Sequence, residues 1–380
     1  MTGRPGGGES PGERFRAFRA VLDPPGGGAP VGRRDKRRPG LIDGHPVIVP
    51  PAEFASYYGR PVVKAPVWRH DIPAYLFAGG LAAGASLLAA GADLTGRPAL
   101  RRATRLVSLG AVGASTYFLV NDLGRPARFH HMLRVFKPTS PLSVGTWTLA
   151  AFGPAAGLAA ISEVAPALSR HGGPGLLRRL LPPAGRVAGL AAAATAPVLA
   201  TYTGVLLADT AMPAWHDAYP DLPFLFAGSA LVAGAGAGLV VAPTGQNAPA
   251  TRLAVAGAVV ETIAERRMSR LGLTGEPYRV GRPARLLRGA RLLLAVGTAG
   301  ALLGRRSRAL AVLSGAALLA SSVLTRFGVF EAGVASARDP KYTVLPQRER
   351  RAGARSAPAG DHERVPSTGP GVAGGGGSPA

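Results

Sequence analysis

The chain alternates between blocks of Ala, Leu, Val and Gly and short polar segments rich in Arg and Pro. The first block, IPAYLFAGGLAAGASLLAAGA, runs from Ile72 to Ala92 without a charged residue. A helix needs roughly 20 such residues to cross the hydrocarbon of a bilayer. A helix lying on a soluble core would instead show a charge every three or four positions. Eight blocks follow one another, near Ile72–Ala92, Ala103–Val120, Ser143–Ile161, Val187–Ala208, Pro223–Ala242, Ala250–Ile263, Leu287–Leu303 and Ala309–Phe327. The sixth is short, and Arg288 and Arg291 stand in the first turn of the seventh, from where long side chains reach the interface. The pattern predicts an all-α membrane protein, a bundle of about eight transmembrane helices with disordered polar termini.

The flanks divide the chain further. Residues 1–50 read as a disordered basic tail, 51–71 as a pre-membrane segment, 72–330 as the transmembrane domain and 331–380 as a mostly disordered tail. Residues 1–40 have no apolar core of the kind a cleavable signal needs, and nothing apolar follows the pair Arg33-Arg34. Inside the spans small residues recur, with Gly80 and Gly84 in the first and Gly234 and Gly238 in the fifth. Helices in lipid have no hydrophobic drive to associate, so such GxxxG steps predict close packing and carry no catalytic role.

A formal net charge of +23 raises the question of nucleic acid. The basic residues lie in the tails and the short loops, as membrane topology demands, and are not interleaved with aromatic residues that stack bases. Nucleic-acid binding is therefore set aside. Arg and Lys are in excess on the loops that share a side with the two termini, including Arg125, Arg128, Arg134 and Lys137 and the run from Arg266 to Arg288. This predicts a multi-pass protein of the cell (plasma) membrane with both termini cytoplasmic.

Redox possibilities narrow quickly. With Cys 0, the chain itself can hold no disulfide, thiolate metal site or iron–sulfur cluster. Its seven histidines, His45, His70, His130, His131, His171, His216 and His362, all fall in tails, loops or at a helix edge. A haem held by histidines of neighbouring spans is not expected. No metal ligands are assigned.

Candidate chemistry lies where polar groups meet the spans. Asp71 and Tyr75, four residues apart, share a face at the start of the first helix. Asp122 ends the second span, Asp209 the fourth, Tyr202 lies within the fourth, and Glu261 lies in the sixth. Charge in hydrocarbon costs several kcal/mol unless it faces a cavity or a partner, so each is a functional candidate. Each also has a plainer reading. Asp122 and Asp209 suit solvated helix ends, Asp122 is placed to pair with Arg125, the sixth span ending early would put Glu261 and Glu265 at the interface, and Tyr202 suits a bundle tyrosine bonded to a main-chain carbonyl.

Three stretches carry a resemblance. WRHDIPAYLFAGGLAAGASLL from Trp68, NDLGRPARFHHMLRVFKPTSPLSVGTW from Asn121, and YTGVLLADTAMPAWHDAYPDLPFLFAGSALVAGAGAG from Tyr202 resemble the NrfD/PsrC family of polysulfide-reductase-type membrane subunits. D-L-G-R-P and S-P-x-S-x-G-x-W, in this order and spacing, are its most specific pieces. The resemblance implies a haem-free eight-helix subunit that binds a quinol, menaquinone or ubiquinone, near one membrane face. It further implies a docked iron–sulfur (4Fe–4S ferredoxin-like) subunit and a molybdopterin-type catalytic subunit. Carried over position by position, it places Asp71, Tyr75, Asp122 and Tyr202 around the quinone. Relatives have an amide and a histidine where this chain has Asp71 and Tyr75; the adjacent His70 is a substitute, although on a different helical face.

Quinol oxidation releases two protons and two electrons, so a pocket needs a hydrogen-bond partner at each oxygen and a proton acceptor. A partly desolvated carboxylate suits the second task. Asp122 and Glu261 are the expected proton-handling acids, Asp122 at the quinone and Glu261 on a proton route. Arg125 and Arg128 are expected to hold Asp122 ionised or to meet acidic groups of the partner. The first-helix start and the loops after the second and fourth helices fall on one face, so the iron–sulfur partner is expected there, on the cytoplasmic side. Two alternatives remain at this point: a secondary transporter, although no internal repeat is evident, and a structural anchor without redox work.

Overall fold

The computed structural model describes residues 41–42, 45–46, 61–168, 175–304 and 307–356. Eight long helices form the bundle: α1 (Asp71–Leu94), α2 (Pro98–Asn121), α3 (Pro141–Leu168), α4 (Gly175–Ala208), α5 (Leu222–Val241), α6 (Ala248–Met268), α7 (Gly281–Leu303) and α8 (Arg308–Arg338). Seven of them are long and apolar enough to cross a membrane. The exception among the eight is α6, which carries Arg252, Glu261, Glu265, Arg266 and Arg267. The chain is thus an all-α, multi-pass membrane protein. Ahead of the bundle, Leu41–Ile42 pairs antiparallel with His45–Pro46; the rest of the expected N-terminal tail lies outside the described residues.

Consecutive helices pack as antiparallel hairpins, α1 with α2, α3 with α4, α5 with α6 and α7 with α8. The starts of α1, α3, α5 and α7 therefore share one face, called proximal below, with the ends of α2, α4, α6 and α8. Central to the bundle, α5 meets α1 and α4 on one flank and α6 and α8 on the other. It can do so because glycine lets backbones touch. A Cβ on Gly84 would stand 2.8 Å from the Ala230 carbonyl carbon, and one on Gly236 2.7 Å from the Gly315 oxygen. Gly84 and Gly234, expected from sequence as packing residues, face each other at the α1–α5 crossing.

At the distal face, one ion cluster ties four helices. Arg101 of α2 meets Glu163 of α3 at 2.7 Å and Asp93 of α1 at 2.9 Å, Arg105 of α2 meets Glu163 at 2.8 Å, and Arg186 of α4 meets Asp93 at 3.4 Å. Beside it, Arg308 donates to the Leu239 and Ala242 carbonyls at 3.0 and 2.6 Å, satisfying groups that the end of α5 leaves open.

The C-terminal end differs from the expectation. Residues from 331 were expected to be mostly disordered, but α8 continues to Arg338 and a further helix, α9 (Lys341–Ser356), follows. The reason lies at its start, where Tyr342 is buried and Lys341 reaches Glu276 at 3.1 Å. Residues 357–380 lie outside the described residues.

Candidate functional site

The proximal end of α1 gathers most of the candidates. Asp71 opens α1, is buried, and accepts a hydrogen bond from Asn121 Nδ2 of α2 at 3.2 Å. His70 is exposed, with Nε2 3.8 Å from Asp71 Oδ1. One turn further in, Tyr75 points at α4, and its hydroxyl is hydrogen-bonded to that of Tyr202. Both rings are buried. The Tyr202 ring reaches this position because α3 offers Gly145 beneath it; a Cβ there would stand 2.6 Å from Cδ2. Asp71 and Tyr75 do share a face, but Asp71 is engaged by α2 and Tyr75 by α4.

Two hydroxyls joined by one hydrogen bond leave one O–H without an acceptor. No described residue accepts it. A buried donor left over in this way costs roughly 1–3 kcal/mol unless a further group arrives. The pair therefore keeps one O–H for a further acceptor.

Asp122 caps the end of α2 near Asp71, with its N–H on the Phe118 carbonyl at 3.1 Å. Burial, and next the Asp71 charge, push its carboxyl above the ordinary range, with Arg69 opposing. An expected local partner is absent, since Asp122 and Arg125 form no ion pair among the described residues. The reason is geometric: the chain turns at Gly124 into the 3-10 helix Pro126–Leu133, which has no buried residue and holds Arg125 and Arg128 exposed. Along it Phe129, His130 and His131 stack edge to face, His130 and His131 with ring centres 4.5 Å apart.

Glu261 is not at the interface. It is buried between α5 and α8, where Gly228 lets α6 approach so closely that a Cβ would stand 2.8 Å from the Glu261 Cα. Its Oε1 accepts from Thr325 Oγ1 at 2.7 Å, and its Oε2 has no partner. Close by lies Arg326, fully buried, with Nη2 donating to the Phe226 carbonyl at 2.7 Å and Cζ 3.8 Å above the Phe226 ring. Its Nε and Nη1 have no partner. Arg326 is a functional signal that stands in the sequence itself, an arginine inside the apolar run of the eighth span.

A third element closes the proximal face. The short helix Pro213–Asp217 seats Trp215 on α8, its indole N–H on the Val329 carbonyl at 2.8 Å and its ring stacked with Trp68 and tilted against Phe330. The adjacent Tyr278 donates to the Ala214 carbonyl at 2.9 Å, and burial pushes its phenol well up, so it stays a neutral donor. Asp209 follows the end of α4 and takes no part in these contacts.

Among the described residues no group of histidines and acids is arranged to hold a metal ion. A family model described as Polysulphide reductase, NrfD matches residues 61–261, which include α1 to α5 and most of α6, with Asp71, Tyr75, Asp122, Tyr202 and Glu261. No curated protein matches the chain.

Proposed function

Because this chain belongs to the NrfD family of polysulphide-reductase membrane proteins, and that family supplies membrane subunits of redox complexes, we propose that it is the quinone-reactive membrane subunit of a multisubunit oxidoreductase. It passes electrons between membrane quinone, menaquinone or ubiquinone, and an iron–sulfur partner, with a molybdopterin-type subunit completing the complex. The observation that carries this reading is the buried Tyr75–Tyr202 hydroxyl pair with its unspent O–H, one turn below Asp71, whose charge Asp122 feels.

The quinone supplies the two-electron, two-proton chemistry. The Tyr75–Tyr202 pair offers its one unspent O–H to a ring oxygen, and Gly145 leaves room for Tyr202 to hold that position. Asp122, with its affinity for protons raised by burial, accepts one at the membrane face. Asp71 is held by Asn121 and sets the field that Asp122 feels. His70, exposed above Asp71, is the outlet for that proton toward solvent. Arg125 and Arg128 stand free to meet acidic groups of the iron–sulfur subunit, which docks on the proximal face. The excess of Lys and Arg on this face supports an orientation with it, and both termini, on the cytoplasmic side. Glu261 takes protons into the second half of the bundle.

The experiment is purification of the chain from its native membranes with its partners. Cluster signals that a quinol reduces, or that report reoxidation by a quinone, are the expected result, and Tyr202→Phe should depress that exchange while the complex stays assembled. A chain that copurifies with no iron–sulfur protein overturns the reading. Unchanged exchange in Tyr202→Phe overturns the pocket.

A further inference from the structure

A second site lies on the far flank of α5. Although α6 and α7 follow one another in the chain, they touch only lightly, α6 being held by α5 and α7 by α8. Between them a groove of about 710 Å³ opens sideways, floored by Ala258, Ala295 and Ala299. Such a volume is that of a small-molecule site. Its proximal end is polar, with Arg291 Nε on Glu265 Oε1 at 2.5 Å, and deeper in the groove Thr298 Oγ1 is buried without a hydrogen-bond partner.

The groove backs onto a smaller, more enclosed cavity of about 50 Å³, room for a few water molecules. Glu265, Ser269, Arg291 and Leu294 line both spaces. The inner cavity reaches Glu261 and Thr325. Glu261 and Glu265 are one turn apart on α6 and so share a face. A row of two carboxylates thus leads from the groove inward to the unpartnered Glu261 Oε2.

An acyl chain would use the alanine floor alone. A lipid phosphate could meet the exposed Arg266 at the rim, but it would face the Glu265 carboxylate and find Arg291 already paired. A neutral ring with oxygens at both ends uses what is present: a hydroxyl donor with nothing to bond, an ion pair, and carboxylates to exchange protons with. Its prenyl tail lies along the alanines or leaves into the lipid.

We propose that the α6–α7 groove is a second binding site for a lipid-soluble quinone, separate from the Tyr75–Tyr202 pocket, with the ring held between Thr298 and the Glu265–Arg291 pair. The inference rests on the reading that this chain handles quinone. Its test is photolabelling of the full chain in nanodiscs with a prenylated azidoquinone, followed by mapping of the labelled peptides. Label is expected on α6 or α7, displaced by unmodified quinone both in phosphatidylcholine discs and in discs containing phosphatidylglycerol. Ala295→Phe, which fills the groove from an exposed position, should erase that label, whereas Leu292→Phe, exposed outside it, should keep it. Label displaced by phosphatidylglycerol but not by quinone overturns the proposal in favour of a phospholipid site. Label confined to α1–α4 overturns it while supporting the Tyr75–Tyr202 pocket, label on α6 or α7 alone supports it against that pocket, and no specific label overturns both.

Discussion

The phenolic oxygens of Tyr75 on α1 and Tyr202 on α4 hydrogen-bond to each other across 127 residues of chain inside the bundle. That contact joins the first and fourth helices inside the bundle, and it predicts strongly non-additive mutants. Tyr75→Phe or Tyr202→Phe alone keeps one unpaired O–H, as in the parent, and loses the hydrogen bond, at a cost of about 0.5–1.5 kcal/mol, whereas the double Phe variant removes both hydroxyls and should regain the loss or more. Thermal unfolding of the purified chain measures this. Quinol-linked turnover should stay low in all three, so stability recovers in the double variant and activity does not.

Asp122 predicts a pH dependence. Burial and Asp71 raise its pKa in the folded protein, so the protonated form is favoured by folding. The stability it contributes is full below the unfolded pKa and lost as pH rises through the folded one. Asp122→Asn, neutral throughout, should therefore be more stable than the parent at neutral pH and no more stable in acid. In turnover, the parent should lose rate as pH falls through the raised pKa. Asp71→Asn, by removing a neighbouring charge, should move that limb to lower pH, which a pH profile of quinol oxidation reads directly.

Much of this was legible beforehand and some was not. Span positions followed from charge-free blocks, and Gly84 and Gly234 could be assigned to packing because lipid leaves no other use for GxxxG. The pairing of Tyr75 with Tyr202 was not legible, since helical periodicity gives a face but not the neighbour across it. The burial of Glu261 was not legible either, since it depends on Gly228, which lets α6 close on α5. The Asp93–Arg101–Arg105–Glu163 cluster was hidden because its members sit at three separate helix ends and in sequence look like ordinary flanking charge. Disorder was expected after residue 331 from composition, and one buried tyrosine with one lysine ion pair was enough to fix the start of α9.

Glycines on α1 should separate cleanly by what they face. Gly84 lies against the α5 backbone, whereas Gly91 has nothing within 4 Å of a built Cβ. Gly84→Val should push α1 from α5 and abolish the folded bundle, seen as loss of a monodisperse peak in detergent. Gly91→Ala should be neutral or stabilising by up to about 1 kcal/mol, because alanine is the better helix former.

Glu261 and Arg326 sit buried with unpartnered atoms on both, and each charge lies within reach of the other's field. Removing one leaves the other uncompensated, so Glu261→Gln and Arg326→Met should each destabilise by about 3–5 kcal/mol. Together they remove a costly pair, and the double variant should recover much of the loss, short of the hydrogen bond that Arg326 gives the Phe226 carbonyl. Thermal unfolding over the full cycle tests this, and additive losses would show that the two do not act as a pair. The double variant also isolates Glu261 in proton handling: with folding restored, proton uptake coupled to quinol turnover should stay impaired, because glutamine cannot carry the proton. If uptake returns along with stability, Glu261 and Arg326 are a structural couple and the proton takes another way.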